Sequence, residues 1–137
     1  MKKKIFIPVT VLAVTLLLLL TSCKTEYTGK SDIFSESDLQ KAAATVSREM
    51  KKAAGVKNVY NIKYEGDETQ TADNLDYCKS LAEAQNIKMD EFILFTADFT
   101  TGSNTNSLNP NDVYTDYEFY MCRQQNGEWI ILTCGYG

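Results

Sequence analysis

The chain of 137 residues contains no histidine. That removes the commonest general base, the commonest zinc ligand and every Ser-His or Cys-His nucleophile pair. Carboxylates, lysine and tyrosine remain, and no spacing singles out a catalytic acid pair. The residues therefore lean away from catalysis and imply no cofactor. Basic residues are also scarce, 14 against 18 acidic ones, for a formal net charge of −4. An acidic chain disfavours nucleic acid as a partner. Proline occurs twice, and no internal repeat is visible.

What is present begins with Lys2, Lys3 and Lys4, followed by Ile5 to Leu20, a 16-residue run without charge that ends in five leucines. A basic head, an apolar middle and small residues after it have the form of a secretory signal. Sixteen residues at 1.5 Å each reach about 24 Å, short of the roughly 30 Å hydrocarbon core, so an uncleaved span fits less well. Leu20-Thr21-Ser22-Cys23 resembles the lipobox of bacterial lipoproteins. The resemblance implies that Cys23 is acylated and that residues 1–22 are removed as a signal peptide. Residues 23–32 are expected to be the lipidated cysteine and its tether, and 33–137 a single domain. The protein is then expected on a bacterial membrane, facing outside the cytoplasm and attached through the N-terminal lipid. More than one acyl chain gives stable attachment.

Processing leaves 115 residues, enough for a single core. The leader takes three basic residues and no acidic ones, so 11 basic face 18 acidic side chains, a net charge of −7. Such a chain offers no polybasic contact to anionic lipid, and repulsion is expected to hold the domain off a negative surface within the screening length. Lys24 to Ser31 is polar without an apolar period, which suggests a tether.

From about Ser35 to Ala54 the apolar positions Leu39, Ala42, Ala43, Val46, Met50 and Ala53 follow one helical stripe. Ser35 and Asp38 form its cap, and Gly55 its stop. Val56 to Tyr64 alternates as a strand, Glu65-Gly66-Asp67 turns the chain, and Asp73 to Gln85 reads as a shorter helix with Leu75, Cys78, Leu81 and Ala82 inward. Glu91 to Phe99 is a strand whose run Phe92-Ile93-Leu94-Phe95 suggests a central place covered on both faces. Tyr114 to Arg123 and Glu128 to Cys134 form a hairpin around Asn126-Gly127. The expected fold is α+β: a four-stranded antiparallel curved sheet, the long N-terminal helix on one face, and a second shorter helix. That order matches the cystatin-like or NTF2-like class.

Without Cys23, three cysteines remain. A two-residue hairpin loop puts Cys134 opposite Phe119, on the far side of the sheet from Cys122. A three-residue loop puts it opposite Glu118, roughly 13 Å from Cys122 at about 3.4 Å per residue, beyond the roughly 7 Å a disulfide spans. Buried thiols are the simpler expectation, with a bridge from Cys78 as the alternative.

Thr100 to Val113 is a long polar stretch. Asn104, Asn106, Asn109, Asn111 and Asp112 there form a candidate binding loop. Its oxygens raise calcium, but acids are few and turn chemistry explains the residues better, so no metal is assigned. Aromatics cluster late, and Tyr117, Tyr120 and Trp129 are a candidate binding face if the sheet has an open side. Cross-strand packing is the plainer reading of sheet aromatics. Ser107-Leu108-Asn109-Pro110-Asn111, Tyr114, Tyr117, Asn126-Gly127-Glu128-Trp129-Ile130-Ile131 and Gly135-Tyr136 resemble the ending of a group of small uncharacterised bacterial lipoproteins. The resemblance implies a cystatin-like or NTF2-like domain and carries no activity or site residue. The expected function is a surface-anchored binding module for an envelope or extracellular protein or a small ligand. The alternatives are a ligand-binding or enzymatic cone, and an inhibitor-like domain.

Overall fold

Ser35 starts the first helix by accepting a hydrogen bond from the Asp38 amide, and its own hydroxyl donates to the Asp38 carboxylate. The computed structural model describes residues 24–136, and α1 runs Glu36–Lys52. Glu36 and Asp38 sit in the first turn and Lys51 and Lys52 in the last, matching the helix dipole. Leu39, Ala42, Ala43, Val46 and Met50 are buried along one stripe, as their spacing predicts. The signal peptide 1–22 and Cys23 lie outside the described residues.

Four strands follow: β1 (Val56–Tyr64), β2 (Met89–Thr101), β3 (Val113–Gln124) and β4 (Trp129–Gly135). They pair antiparallel in the order β1-β2-β3-β4, an open sheet. A 3-10 turn (Asp67–Thr69) and a second helix, α2 (Ala72–Ala84), stand between β1 and β2. Thr71 caps α2 through the Asn74 amide, and Asn86, at φ 56°, turns the chain out of it.

The helices cover opposite faces. On the α1 side, Phe34, Val46, Tyr64, Ile93, Phe95, Phe119 and Trp129 form the main core. On the α2 side, Cys78, Ala82, Phe92, Cys122 and Leu132 form a smaller one. Phe92 to Phe95 is buried throughout and faces both cores, as its unbroken apolar run predicts. Gln85 and Gln70 fasten α2 by donating to the Leu132 and Phe92 carbonyls at 3.1 and 3.2 Å.

The β3–β4 turn has three residues, with Gly127 at φ 87°. Gln124 N–H donates to Glu128 O, and Arg123 pairs with Trp129. A bulge after Met121–Ile131 then shifts the register, so that Cys134 faces Phe119. Phe119 belongs to the α1-side core and Cys122 to the α2-side core. The two cysteines therefore point to opposite sides of the sheet. Cys78, Cys122 and Cys134 are all free thiols.

The expected tether behaves differently from its sequence. Residues 25–34 form a strap laid along β1. Thr28 N–H donates to Ile62 O and Tyr64 N–H donates to Thr28 O, both at 2.9 Å, so Thr28 pairs parallel with Lys63. Gln40 Nε2 holds the Thr25 carbonyl at 3.0 Å. At the other end the Asp67 carboxylate accepts from Ser31 Oγ, from the Asp32 amide at 2.7 Å and from Tyr64 Oη at 2.9 Å. Phe34 then plugs into the core against Tyr64 and Trp129. The strap carries no apolar period because its backbone, rather than a side-chain face, satisfies an otherwise bare sheet edge.

Candidate functional site

Thr101, the last residue of β2, closes the following loop on itself. Its hydroxyl donates to Asn109 O at 2.7 Å and accepts from the Asp112 amide at 2.9 Å. Gly102 N–H donates to Gly55 O at 2.7 Å, and Asn111 N–H donates to Gly102 O at 2.9 Å. Thr105 Oγ1 donates to Leu108 O, and Leu108 packs on the main core. Residues 102–112 are thus an ordered, compact surface loop of the kind whose ends meet.

Asn109 N–H donates to Tyr114 Oη at 2.8 Å, joining the loop to a group of aromatic rings at the same end of the sheet. Tyr114 stacks on Phe99 with centroids 4.7 Å apart and lies parallel to Tyr136 at 6.1 Å. Tyr117 meets Phe99 and Tyr136 edge-on at 5.1 and 5.3 Å. Tyr114 and Tyr117 are three residues apart, so a regular strand would send them to opposite faces. Asp116 makes the difference: at φ 51° it bulges, its amide donates to Asp98 Oδ1 at 2.9 Å, and three steps on β3 answer two on β2. Burial raises the Tyr117 phenol pKa, with the adjacent Cys134 adding to it. Tyr136 remains 61 % exposed and Val113 57 %. Ring faces flanked by hydroxyls and loop amides can bind an amphipathic surface; they hold no nucleophile–base pair.

The sequence candidates divide accordingly. Asn104 and Asn106 are exposed on the loop, whereas Asn109, Asn111 and Asp112 supply its internal hydrogen bonds. Among the described residues no group of three or more acidic or cysteine side chains converges on a metal position. Tyr117, Tyr120 and Trp129 do not form one face. Tyr120 lies on the α2 side, edge-on to Tyr77 at 5.1 Å. Trp129 is buried at the other end of the α1 side, against Phe34 and beneath the Arg123 guanidinium, 5.3 Å from its ring centre. Arg123 in turn bonds Asp38 at 2.9 Å and Glu91, clasping α1 to β2 and β3. Tyr114 and Tyr136 complete the patch that Tyr117 alone suggested.

A groove of about 640 Å³ runs between the strap and the start of α1, lined by Tyr27, Thr28, Phe34, Glu36 and Leu39. It is open to solvent, and Tyr27, Lys30 and Glu36 are the titratable groups that line it. No helix among the described residues is long and apolar enough to cross a membrane. Comparisons of the chain with protein-family models, with curated proteins and with solved structures find no match.

Proposed function

We propose that this chain is a lipid-anchored extracytoplasmic lipoprotein whose body acts by binding, through the end formed by the 102–112 loop with Tyr114, Tyr117 and Tyr136. The anchoring part rests on Leu20-Thr21-Ser22-Cys23 behind a basic, then apolar, leader. The binding part rests on one contrast. The space between α1 and the sheet is filled by Trp129, Phe34, Tyr64 and Phe95, each ring in contact with the next, which leaves a cone with an interior active site little support. Tyr136, the most exposed ring among the described residues, lies instead at the loop end beside the half-buried Tyr114 and Tyr117, while Tyr77 is exposed on the α2 face. A long helix followed by an antiparallel meander supports a cystatin-like plan, with α2 as an addition on the far face.

Metabolic labelling with an alkyne fatty acid tests the anchor: the wild type should carry label and Cys23→Ser should not. Equal labelling of the two would defeat the assignment to Cys23. For the binding end, a photo-crosslinking amino acid at Tyr136 should capture a neighbour in cells, whereas the same group at Tyr77 should not. Capture at position 77 alone would move the site to the α2 face.

A further inference from the structure

The strap decides which way the body faces. It runs parallel to β1 with Thr28 beside Lys63, so going back along it leads toward the start of β1. Lys24 and Thr25 accordingly lie beside Ser47, Lys51 and Val59 to Asn61. The start of β1 is also where Gly55 bonds the loop, where Val56 pairs with Thr101, and where Thr100 pairs with Val113. The described chain therefore begins, at Lys24, on the way toward the loop–tyrosine end. Thr25 is fixed by Gln40, and only Lys24 separates it from Cys23. Two residues span at most about 7 Å, less than the roughly 8 Å over which charge is screened at physiological salt.

Charge is divided along the same axis. Lys24, Lys51, Lys52 and Lys57 are exposed at the anchor end. The acids there are Glu26, Glu49, Asp98, Asp112 and Asp116, with Asp98 paired across to Tyr60 and bonded by the Asp116 amide. Glu49 is bound to Arg48 and Lys52, and the Asp112 carboxylate accepts from the Val113 amide. Among the described residues, Lys24, Lys51 and Lys57 take part in no salt bridge. Glu36, Asp38, Glu65, Asp67, Glu91 and Glu128 stand at the opposite end, at the first turn of α1, the close of β1, the opening of β2 and the β3–β4 turn. Counted with Arg48, five basic and five acidic side chains balance at the anchor end, so the net negative charge of the described residues lies away from it. Tyr60, Tyr136 and Val113 are exposed on the lysine-bearing end, and tyrosine favours the headgroup layer.

We infer that the partner of the loop–tyrosine end is the anionic phospholipid surface that holds the acyl chains, met by Lys24, Lys51 and Lys57 with Tyr60 and Tyr136. This rests on the lipid anchor proposed above. The acidic end then faces outward, away from the bilayer.

The test uses the full acylated protein in vesicles of phosphatidylcholine alone or mixed with phosphatidylglycerol, followed by hydrogen-exchange mass spectrometry. Residues 51–58 and 102–113 should exchange several-fold more slowly on the mixed vesicles, while 65–71 stay unchanged. High salt, or joint replacement of Lys24, Lys51 and Lys57 by serine, should abolish the difference. Equal exchange on both vesicle types, or protection confined to the acidic end, overturns the inference, as does protein crosslinking at Tyr136 without lipid-dependent protection. Intact mass is read first. A chain without acyl mass refutes the anchor itself, whereas an acylated chain with an unprotected loop end refutes only the orientation.

Discussion

Replacing Trp129 by alanine is expected to damage the core and not to blunt an exposed face. The indole is 4 % exposed, touches Phe34 edge-on at 6.0 Å and supports the Arg123 guanidinium. Truncating a buried tryptophan costs about 3–5 kcal/mol, a large part of the roughly 5–15 kcal/mol that holds a domain together. Trp129→Phe separates packing from polarity. Among the described residues the buried Nε1–H has no acceptor, and a buried unpaired donor costs about 1–3 kcal/mol. Phenylalanine removes that donor while keeping most of the ring, so its net effect should lie within about 1 kcal/mol, the recovered polar cost offsetting the lost contact. Urea unfolding followed by far-ultraviolet circular dichroism measures both, since Trp129 is the sole tryptophan and its fluorescence disappears with it. An alanine variant with the wild-type midpoint would refute the core placement. A phenylalanine variant as unstable as the alanine one would refute the unpaired donor.

Asp67→Asn should free the start of the chain, seen as faster tryptic cleavage after Lys30 with the rest of the domain intact. Hydrogen bonds from Ser31 and then from the Asp32 amide hold the Asp67 pKa below its ordinary value. Its contribution is therefore complete above the unfolded value of about 3.9 and is lost as pH falls through the lower folded value; a carbon-13 titration of Asp67 giving an ordinary pKa would contradict this. Gly29→Ala should loosen the same segment. Gly29 sits at φ +104°, and a Cβ there would lie 2.9 Å from Tyr64 Cβ and O, adding a clash to a left-handed strain of about 1–2 kcal/mol; an unchanged melting temperature would count against it. Iodoacetamide should modify Cys134 in the folded protein and reach Cys78 and Cys122 only after unfolding, because burial closes both off and pushes each thiol up to about 11. Native labelling of Cys78 would show that α2 is not seated.

Legibility followed periodicity. Leu39 to Met50 repeats every turn of a helix and Ser35 caps it, so α1 could be read to within two residues of its observed ends. The run Phe92 to Phe95 announced a central strand for the same kind of reason. Facing was harder, because one extra residue reverses it. The bulge at Asp116 brings Tyr117 to the side of Tyr114, and the three-residue turn at Gln125 to Gly127 sends Trp129 inward; alternation shows neither. Strand alternation over Val56 to Tyr64 puts Tyr60 with Ile62 and Tyr64, yet Tyr60 is exposed while those two are buried, through a similar shift beside Asn61, at φ 49°. The strap was unreadable because backbone pairing, the Gln40 amide and the distant Asp67 carboxylate hold it. Its polar composition looks the same whether it is docked or free.

Whether residues 25–34 belong to the body decides which face is turned toward the membrane. Amide exchange at Thr28 and Tyr64 in the acylated protein, followed by NMR, tests this most directly. Both amides bridge the strap and β1, so they should exchange as slowly as the β2 amides beside them. A Thr28 amide exchanging as fast as an unstructured peptide, with Tyr64 following it, would mean that the anchor hangs on a free tether and that no face of the body is directed toward the membrane.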